Sequence, residues 1–370
     1  MRHRFEDIAV NSNEKRKPTD EDMGSYIGLE HLETGDLRVT HFGSKVPIKG
    51  EKLIMRKGDV LFGRRNTYLK RAAVSPHDGL FSAHGMVLRP KEKIISNEFF
   101  PFFISSDYFF DAAIRISVGS ISPTVNWGTL KELEFDLPPL DEQRRLAEVL
   151  WAMIEIRNAY RELLSLTEQL VKSQFIEMFI GITDSVLLGE ISEIRSGGTP
   201  TRQMPEYYEG NIPWITTVAL GNNYIDDSQA MEFITEQAIV NSATKIIPEN
   251  SLLFGVRVGV GKCSVNTIPM CTNQDIVGIT GLIHNGFEPL YIKKVLETYS
   301  TYFDDQKRGA TIKGITTDLL KKTKIPNAPL PLQTRFADFV RQADKSKFEL
   351  QRTLEELEAT YKALLREKLG

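Results

Sequence analysis

Two stretches of this chain carry apolar side chains every three and four residues for longer than an ordinary globular helix needs. From Asp141 to Phe179, and again from Leu332 to Leu369, there is neither Pro nor Gly. Nothing interrupts ~36 or more helical residues in each. In the first stretch two heptad rows read Leu146, Met153, Tyr160, Thr167, Gln174 and Leu150, Arg157, Leu164, Val171, Met178. In the second the equivalent rows are Phe336, Ala343, Leu350, Leu357, Leu364 and Val340, Lys347, Leu354, Tyr361, Lys368. These are coiled-coil seams, with a basic residue, Arg157 or Lys347, at the same place in both. The first helix has a third apolar row, Val149, Ile156, Leu163 and Leu170, whose counterpart in the second is Phe339, Ser346, Thr353 and Thr360. A stripe that wide either packs on the chain's own domains or docks another protein, and the pattern leaves both readings open.

The same register is written twice. At an offset of 190 residues Gly119 lies over Gly309, Leu130 over Leu320, Pro139 over Pro329, Gln143 over Gln333 and Arg145 over Arg335. With two residues of slack "DVLFGRR" falls over "SLLFGVR". The starts, 1–45 and 181–235, align poorly. Each repeat therefore reads as a globular part followed by a long helix: 1–140, 141–180, 181–328 and 329–370. Runs such as "KLIMRKGDVLFG" predict strands, whereas "NEFFPFFISSDYFFDAAIR" and "EPLYIKKVLETYSTYFDDQ" predict helices, so the class is α+β. The phenylalanines from Phe99 to Phe110, at helical spacing, are expected in the core rather than as a platform for stacked bases. At ~1.5 Å per residue, 36 residues make a rod of ~54 Å. A second helix packed along the first must run back. The expectation is two similar domains separated by two long antiparallel helices forming a coiled coil, with pseudo-two-fold symmetry.

Composition narrows the class. With 41% hydrophobic and 26% charged residues the chain reads as an ordinary folded protein. It has no leader-like h-region and no stretch approaching a membrane span, so a cytoplasmic location without membrane contact is expected. Cys263 and Cys271, with His284 the nearest imidazole in sequence, fall short of a zinc ligand set. Net charge is −3, yet Lys45 to Arg71 carries nine basic residues against two acidic ones, and 305–324 carries six against two. Such local clusters suit phosphates.

The candidate DNA contacts in the first repeat are Lys45, Lys49, Arg64, Arg65, Asn66, Tyr68, Lys70, Arg71 and His84. Arg reads guanine edges and Asn adenine edges, and "GRRNTYLKR" puts both in one loop. In the second repeat they are Thr199, Thr201, Arg202, Gln203, Arg257, Lys262, Asn273, Gln274, Lys307, Arg308 and Lys313. If both domains read DNA, these sets predict different sequences.

A catalytic centre is not expected. "GVRVGVGKC" lacks the Gly and the Ser or Thr that a phosphate loop needs at Val256 and Cys263. No N-P-P-Y or D-P-P-Y, H-E-x-x-H, G-x-S-x-G or G-x-G-x-x-G is present. The acid-x-Lys at Asp305 to Lys307 is a pattern that chance supplies in most chains of this length.

"PPLDEQRRLAEVL" running to "LVKSQFIEMF", and "PLPLQTRFADFVRQADKSKFELQRTLEELEATYKALL", resemble the central and distal conserved regions of the DNA-specificity subunits of type I restriction-modification systems. "SGGTPTRQMPEYYEGNIPWITT" and "SATKIIPENSLLF" are similar to segments of their target recognition domains. The resemblance covers nearly the whole chain. It implies two target recognition domains, each reading one half of a bipartite double-stranded DNA site, with the helices setting the spacer. It also implies docking of two methyltransferase subunits, for which Val149, Ile156, Leu163 and Leu170 are the candidate row. S-adenosylmethionine would be bound by those subunits and no cofactor by this chain, and restriction subunits would be further partners. A fused or type II-like restriction-modification system, or a coiled-coil scaffold that binds no DNA, are the alternatives. One departure is that Gln333 lacks the acidic neighbour that Glu142 gives Gln143.

Overall fold

The computed structural model describes residues 1–309 and 313–369. Ala310, Thr311 and Ile312, inside the second repeat, and Gly370, the last residue of the segment 329–370, lie outside the described residues. The chain divides into two compact units, one of Met1–Glu162 with Leu350–Gly370 and the other of Leu163–Glu349.

In the first unit the strand Arg2–Arg4 pairs antiparallel with Glu134–Asp136, tying the start of the globular part to its end. A four-stranded antiparallel sheet has the order Ala9–Ser12, Met86–Pro90, Val60–Phe62, Ala72–Val74. A three-stranded sheet of Lys15–Arg16, Lys52–Met55 and Gly79–Phe81 accompanies it.

The second unit follows the same plan. Ser185–Leu187 pairs with Lys324–Pro326. The main sheet has the order Glu193–Ser196, Ile276–Thr280, Leu252–Gly255, Cys263–Asn266 and then Tyr224–Ile225, the last strand added in parallel. Glu232–Ile234, Ile212–Ile215 and Cys271–Thr272 form the smaller sheet. Later elements correspond at the offset of 190, as Met86–Pro90 does with Ile276–Thr280. The first strands correspond at 183 or 184, Arg2–Arg4 with Ser185–Leu187 and Ala9–Ser12 with Glu193–Ser196. The starts of the repeats align poorly because the register changes there, although the strands are retained.

Helices Phe100–Ser105 and Asp107–Arg115 follow where the apolar period predicts them. Ser106 separates them, its hydroxyl accepting the Phe109 N–H at 3.2 Å as an N-cap. Phe99, Phe100, Phe102, Phe103, Phe109 and Phe110 are all fully buried. Their rings meet Phe5 and Phe135 at centroid distances of 5.1 Å for Phe5–Phe109 and 5.2 Å for Phe103–Phe135. These rings are core and present no face to a base. In the second unit Pro289–Thr298 and Ser300–Asp305 take the same place, with Phe303 against Phe254. Both cysteines are buried; burial raises the Cys263 thiol to about 12 and Cys271 to about 11, so neither is a thiolate at neutral pH.

The two long helices span Leu140–Phe179 and Leu330–Leu369. In the first unit Leu146, Leu150, Arg157 and Leu369 are buried, Glu142 faces Lys368 at 3.8 Å, and Arg161 bonds Glu358 at 3.1 Å. In the second unit Phe175 and Phe179 pack on Phe336, while Lys347 bonds Glu168 at 2.7 Å. Within each unit, therefore, the two helical segments run antiparallel. All ten residues of the two heptad rows of the first helix are buried or half-buried, whereas Val149, Ile156, Leu163 and Leu170 are each about half exposed, at 51, 47, 47 and 53%. Among the described residues, that third row is only half covered.

Each helix is fixed to its globular part by one buried glutamine. Gln143 accepts the Ser96 N–H at 2.9 Å and donates to the carbonyls of Ile94 and Pro138 at 3.0 and 2.9 Å. Gln333 accepts the Glu288 N–H at 2.9 Å and donates to Gly286 and Ala328 at 3.4 and 2.8 Å. A neutral amide offers both donor and acceptor there without a buried charge. The missing acidic neighbour of Gln333 leaves this arrangement unchanged. The units differ further along the helices. In the first, Arg157 pairs with Asp36 at 2.9 Å, both nearly buried, beside Gly35, whose φ of +76° turns the chain. In the second, Asn223 donates to both carboxylate oxygens of Asp344 at 3.0 and 2.9 Å.

Replacing Gln143 or Gln333 by Ala orphans one buried N–H and two carbonyls, so each variant should lose about 2–3 kcal/mol in urea unfolding. Arg352→Ala, which removes an exposed i,i+4 pair with Glu356, should change stability by less than about 0.5 kcal/mol in the same measurement.

Candidate nucleic-acid interface

In the first unit the strand Val60–Phe62 ends at Gly63, which approaches Arg71 so closely that a Cβ would lie 3.2 Å from its Cβ and its carbonyl oxygen. The Gly63 N–H donates to the Arg71 carbonyl at 2.9 Å, closing residues 63–71 into a loop. A 3₁₀ turn, Thr67–Leu69, sits inside it between two left-handed residues, Asn66 at φ 54° and Lys70 at φ 46°. Thr67, fully buried, donates its hydroxyl to the Arg64 carbonyl at 2.9 Å. A second loop, Val118 to Thr124, is clamped against the first. The Asn66 N–H reaches the Pro123 carbonyl at 2.8 Å, and the Val125 N–H reaches the Arg64 carbonyl at 2.9 Å.

Within this frame the candidate residues have unequal freedom. Arg65 is exposed, with one long contact of 3.4 Å to the Ser122 hydroxyl, and Tyr68 is 56% exposed. Arg64 and Asn66 are half-buried; the Arg64 Nε and the Asn66 Oδ1 are buried atoms with no hydrogen-bond partner among the described residues. Lys70 is held by Asp107 at 2.6 Å and Asp111 at 2.9 Å. Burial works against its charge, but those two hydrogen bonds outweigh it and raise its pKa above the usual lysine value. Arg71 donates to the Leu29 carbonyl at 3.1 Å. His84 is exposed, and its backbone N–H is fixed on the Ser82 hydroxyl. Lys45 and Lys49 are exposed in an irregular segment, and among the described residues no hydrogen bond or ion pair joins them to the loop 63–71. The run of nine cations is less positive in space than in sequence. Glu14 meets Arg56 at 3.0 Å, and Asp107 and Asp111 meet Lys70.

The second unit builds the equivalent frame. The Ile315 N–H bonds the Val256 carbonyl at 2.8 Å, matching Val125 on Arg64. Arg308 and Gly314 exchange two backbone hydrogen bonds of 2.9 Å, matching the 3.0 Å pair between Val118 and Thr124. Gly309 and Gly119, at φ +130° and +116°, turn these two loops. Within the second unit the fold thus sets the loop that carries Arg257 against the basic segment 305–324, far from it in sequence. Arg257, Lys262, Arg308 and Lys313 are exposed, Arg257 lies 4.0 Å from Asp275, and Lys307 is tied to Asp304.

"SGGTP" joins this site by close backbone approach. A Cβ on Gly197 would lie 2.1 Å from the Asn273 carbonyl oxygen, and one on Gly198 2.5 Å from the Thr244 nitrogen. The Thr199 hydroxyl consequently bonds Gln274. Thr201 and Gln203 are exposed beside it, the Gln203 N–H on the Thr201 hydroxyl at 3.3 Å. Asn273 is buried, shaping the turn through Asp275 at 3.3 and 3.2 Å. Arg202 lies 4.1 Å above the Tyr208 ring and is forked onto Glu232, whose hydrogen bond raises the Arg202 pKa and lowers that of Glu232. The loop Val118–Thr124 was not among the sequence candidates; the match of Gly119 with Gly309 was the signal for it.

Among the described residues no cluster of His, Cys, Asp or Glu is placed to hold a metal ion, and no helix is long and apolar enough to cross a membrane.

Two parts of the chain, residues 11–164 and 183–359, match the family described as Type I restriction modification DNA specificity domain. Over 141 residues, 37% of this chain and 32% of the relative, it is 33% identical to the type I restriction enzyme MjaIX specificity subunit of Methanocaldococcus jannaschii. Over 183 residues, 47% of this chain and 44% of the relative, it is 29% identical to the EcoR124I/EcoR124II specificity subunit of Escherichia coli. The matches thus span less than half the length of either relative. Among solved structures, a chain from work on complex assembly and conformational transition of the type I R-M system superposes with a TM-score of 0.62 at 21% identity, covering 100% of this chain and 97% of that one. The type I S subunit from M. genitalium also gives 0.62, at 12% identity, covering 100% and 96%. These likenesses show the fold.

The unequal freedom of the cations sets an expectation for DNA binding measured against salt. Arg65→Ala and Arg308→Ala should each weaken binding and lower the salt slope by about 0.9 if each arginine meets one phosphate. Lys70→Ala and Arg202→Ala should leave the slope unchanged, because those cations are already neutralised within the protein.

Proposed function

Because the chain belongs to the family of the type I restriction modification DNA specificity domain, we propose that it is the DNA-reading subunit of a type I restriction-modification complex, each repeat reading one half of a bipartite duplex target. One observation carries this reading. The two units present the same paired-loop frame with different side chains on it, Arg64, Arg65 and Asn66 in one and Val256, Arg257 and Val258 in the other. A shared frame with unlike side chains suits two similar readers of different base sequences. In this reading the central helix and the distal helix pair antiparallel as a coiled coil whose length fixes the number of unread bases between half-sites. The covered heptad rows and the antiparallel contacts within each unit support that pairing.

The chain itself is non-catalytic in this reading. Methylation of adenine belongs to two methyltransferase subunits that bind S-adenosylmethionine, and restriction subunits join the same assembly. The exposed row Val149, Ile156, Leu163 and Leu170 is the helix face offered to the methyltransferase partner, since an apolar row left half exposed along one helix gains stabilisation when a second helix covers it.

The test is methyl transfer from labelled S-adenosylmethionine to DNA. The chain co-purified with its methyltransferase subunit should label adenine, and the chain alone should label nothing; incorporation by the chain alone would overturn the non-catalytic assignment. Ile156→Glu with Leu163→Glu should abolish co-purification of the methyltransferase subunit while leaving the unfolding midpoint of the isolated chain within about 2 °C, given the small effect expected of exposed substitutions.

A further inference from the structure

The loop Val118–Thr124 carries the most exposed large apolar side chain among the described residues: Ile121 is 93% exposed, and Val118 on the same loop is 70% exposed. A single exposed isoleucine on a surface calls for no explanation. This one sits on a rigid mount. Val118 and Thr124 exchange two backbone hydrogen bonds of 3.0 Å, and Gly119 takes the left-handed turn. Pro123 accepts from Asn66 at 2.8 Å, and Ser122 receives the Arg65 guanidinium at 3.4 Å. The apolar tip is thereby locked to the exposed cation of the adjoining loop, with Arg115 exposed close by in sequence.

We propose that Ile121 is an apolar wedge that enters the duplex beside the first half-site and partly unstacks a base step, while Arg65 holds the adjacent phosphate or base edge. This rests on the DNA-reading function proposed above and adds to it a position that reads by deformation instead of hydrogen bonding. Isoleucine inserted between base pairs is a recognised means of kinking DNA, and the step that yields most easily becomes the preferred sequence. The exposed guanidinium of Arg65, held against the same loop at Ser122, favours nucleic acid over an apolar protein surface as the occupant. In the second repeat the residues at the corresponding tip, Ala310 to Ile312, lie outside the described residues, so the inference is confined to the first.

The experiment uses the full chain with its methyltransferase subunits and duplexes bearing the site that the complex methylates, with 2-aminopurine at successive positions. Wild type should raise 2-aminopurine fluorescence at one step in or beside one half-site. Ile121→Ser should remove that signal and weaken specific binding about tenfold, as expected for losing one buried aliphatic side chain. Ile121→Leu should restore both. Unchanged fluorescence and affinity in Ile121→Ser, with DNA still bound specifically, would overturn the wedge and leave the reading intact. Loss of methyltransferase association in that variant, with DNA binding by the isolated chain unaltered, would overturn it in favour of a protein contact. Absence of any site-specific binding by wild type would instead strike the proposed function itself.

Discussion

The structure depends on how each long helix is held to the globular part before it. Gln143 and Gln333, each in the first turn of a 40-residue helix, bond one N–H and two carbonyls of the loops they enter. An amide does this where a carboxylate or an ammonium would have to be desolvated as a charge. The strand pairs Arg2–Arg4 with Glu134–Asp136 and Ser185–Leu187 with Lys324–Pro326 add a second tie, since each joins the start of a globular part to the residues just before its helix. Each globular part is thus fixed to its helix start in two ways. Beyond that start the units diverge. The first is clasped by the nearly buried ion pair of Arg157 and Asp36, and the second by Asn223 on Asp344.

Charge follows a similar logic of local closure. Several cations of the basic segments are committed to acids that the fold brings from elsewhere: Lys70 to Asp107 and Asp111, Arg202 to Glu232, Arg56 to Glu14. Arg65, Arg257, Arg308 and Lys313 remain exposed. The loops are therefore stiffened by some of their basic residues and offer the others outward. The same division holds for apolar side chains of the first long helix. Two heptad rows are covered within the units, and the row of Val149, Ile156, Leu163 and Leu170 is left half exposed.

Much of this was legible in the sequence because it rests on period and repetition. The heptad rows, the helices around Phe103 and Tyr291 and the correspondence of Gln143 with Gln333 follow from spacing alone. Four things were not legible. The first strands of the repeats match at offsets of 183 or 184 instead of 190, and a change of register hides such a match in a single sequence. The pairing of Lys70, Arg202 and Arg56 with distant acids depends on tertiary proximity, which a count of neighbouring charges cannot contain. Asn273 is a polar residue with the composition of a reader, yet it is buried and its amide serves the turn at Asp275. Whether the wide apolar stripe of the first helix faces inward or outward likewise depends on tertiary packing.

The most direct measurement of the central claim is a genome-wide map of modified adenines in cells expressing the chain with its methyltransferase partner. Two duplicated heads joined through helices of fixed length predict two short specified blocks of unlike sequence, separated by unspecified bases whose number does not vary from site to site. A single continuous block, or two blocks at variable separation, would contradict it.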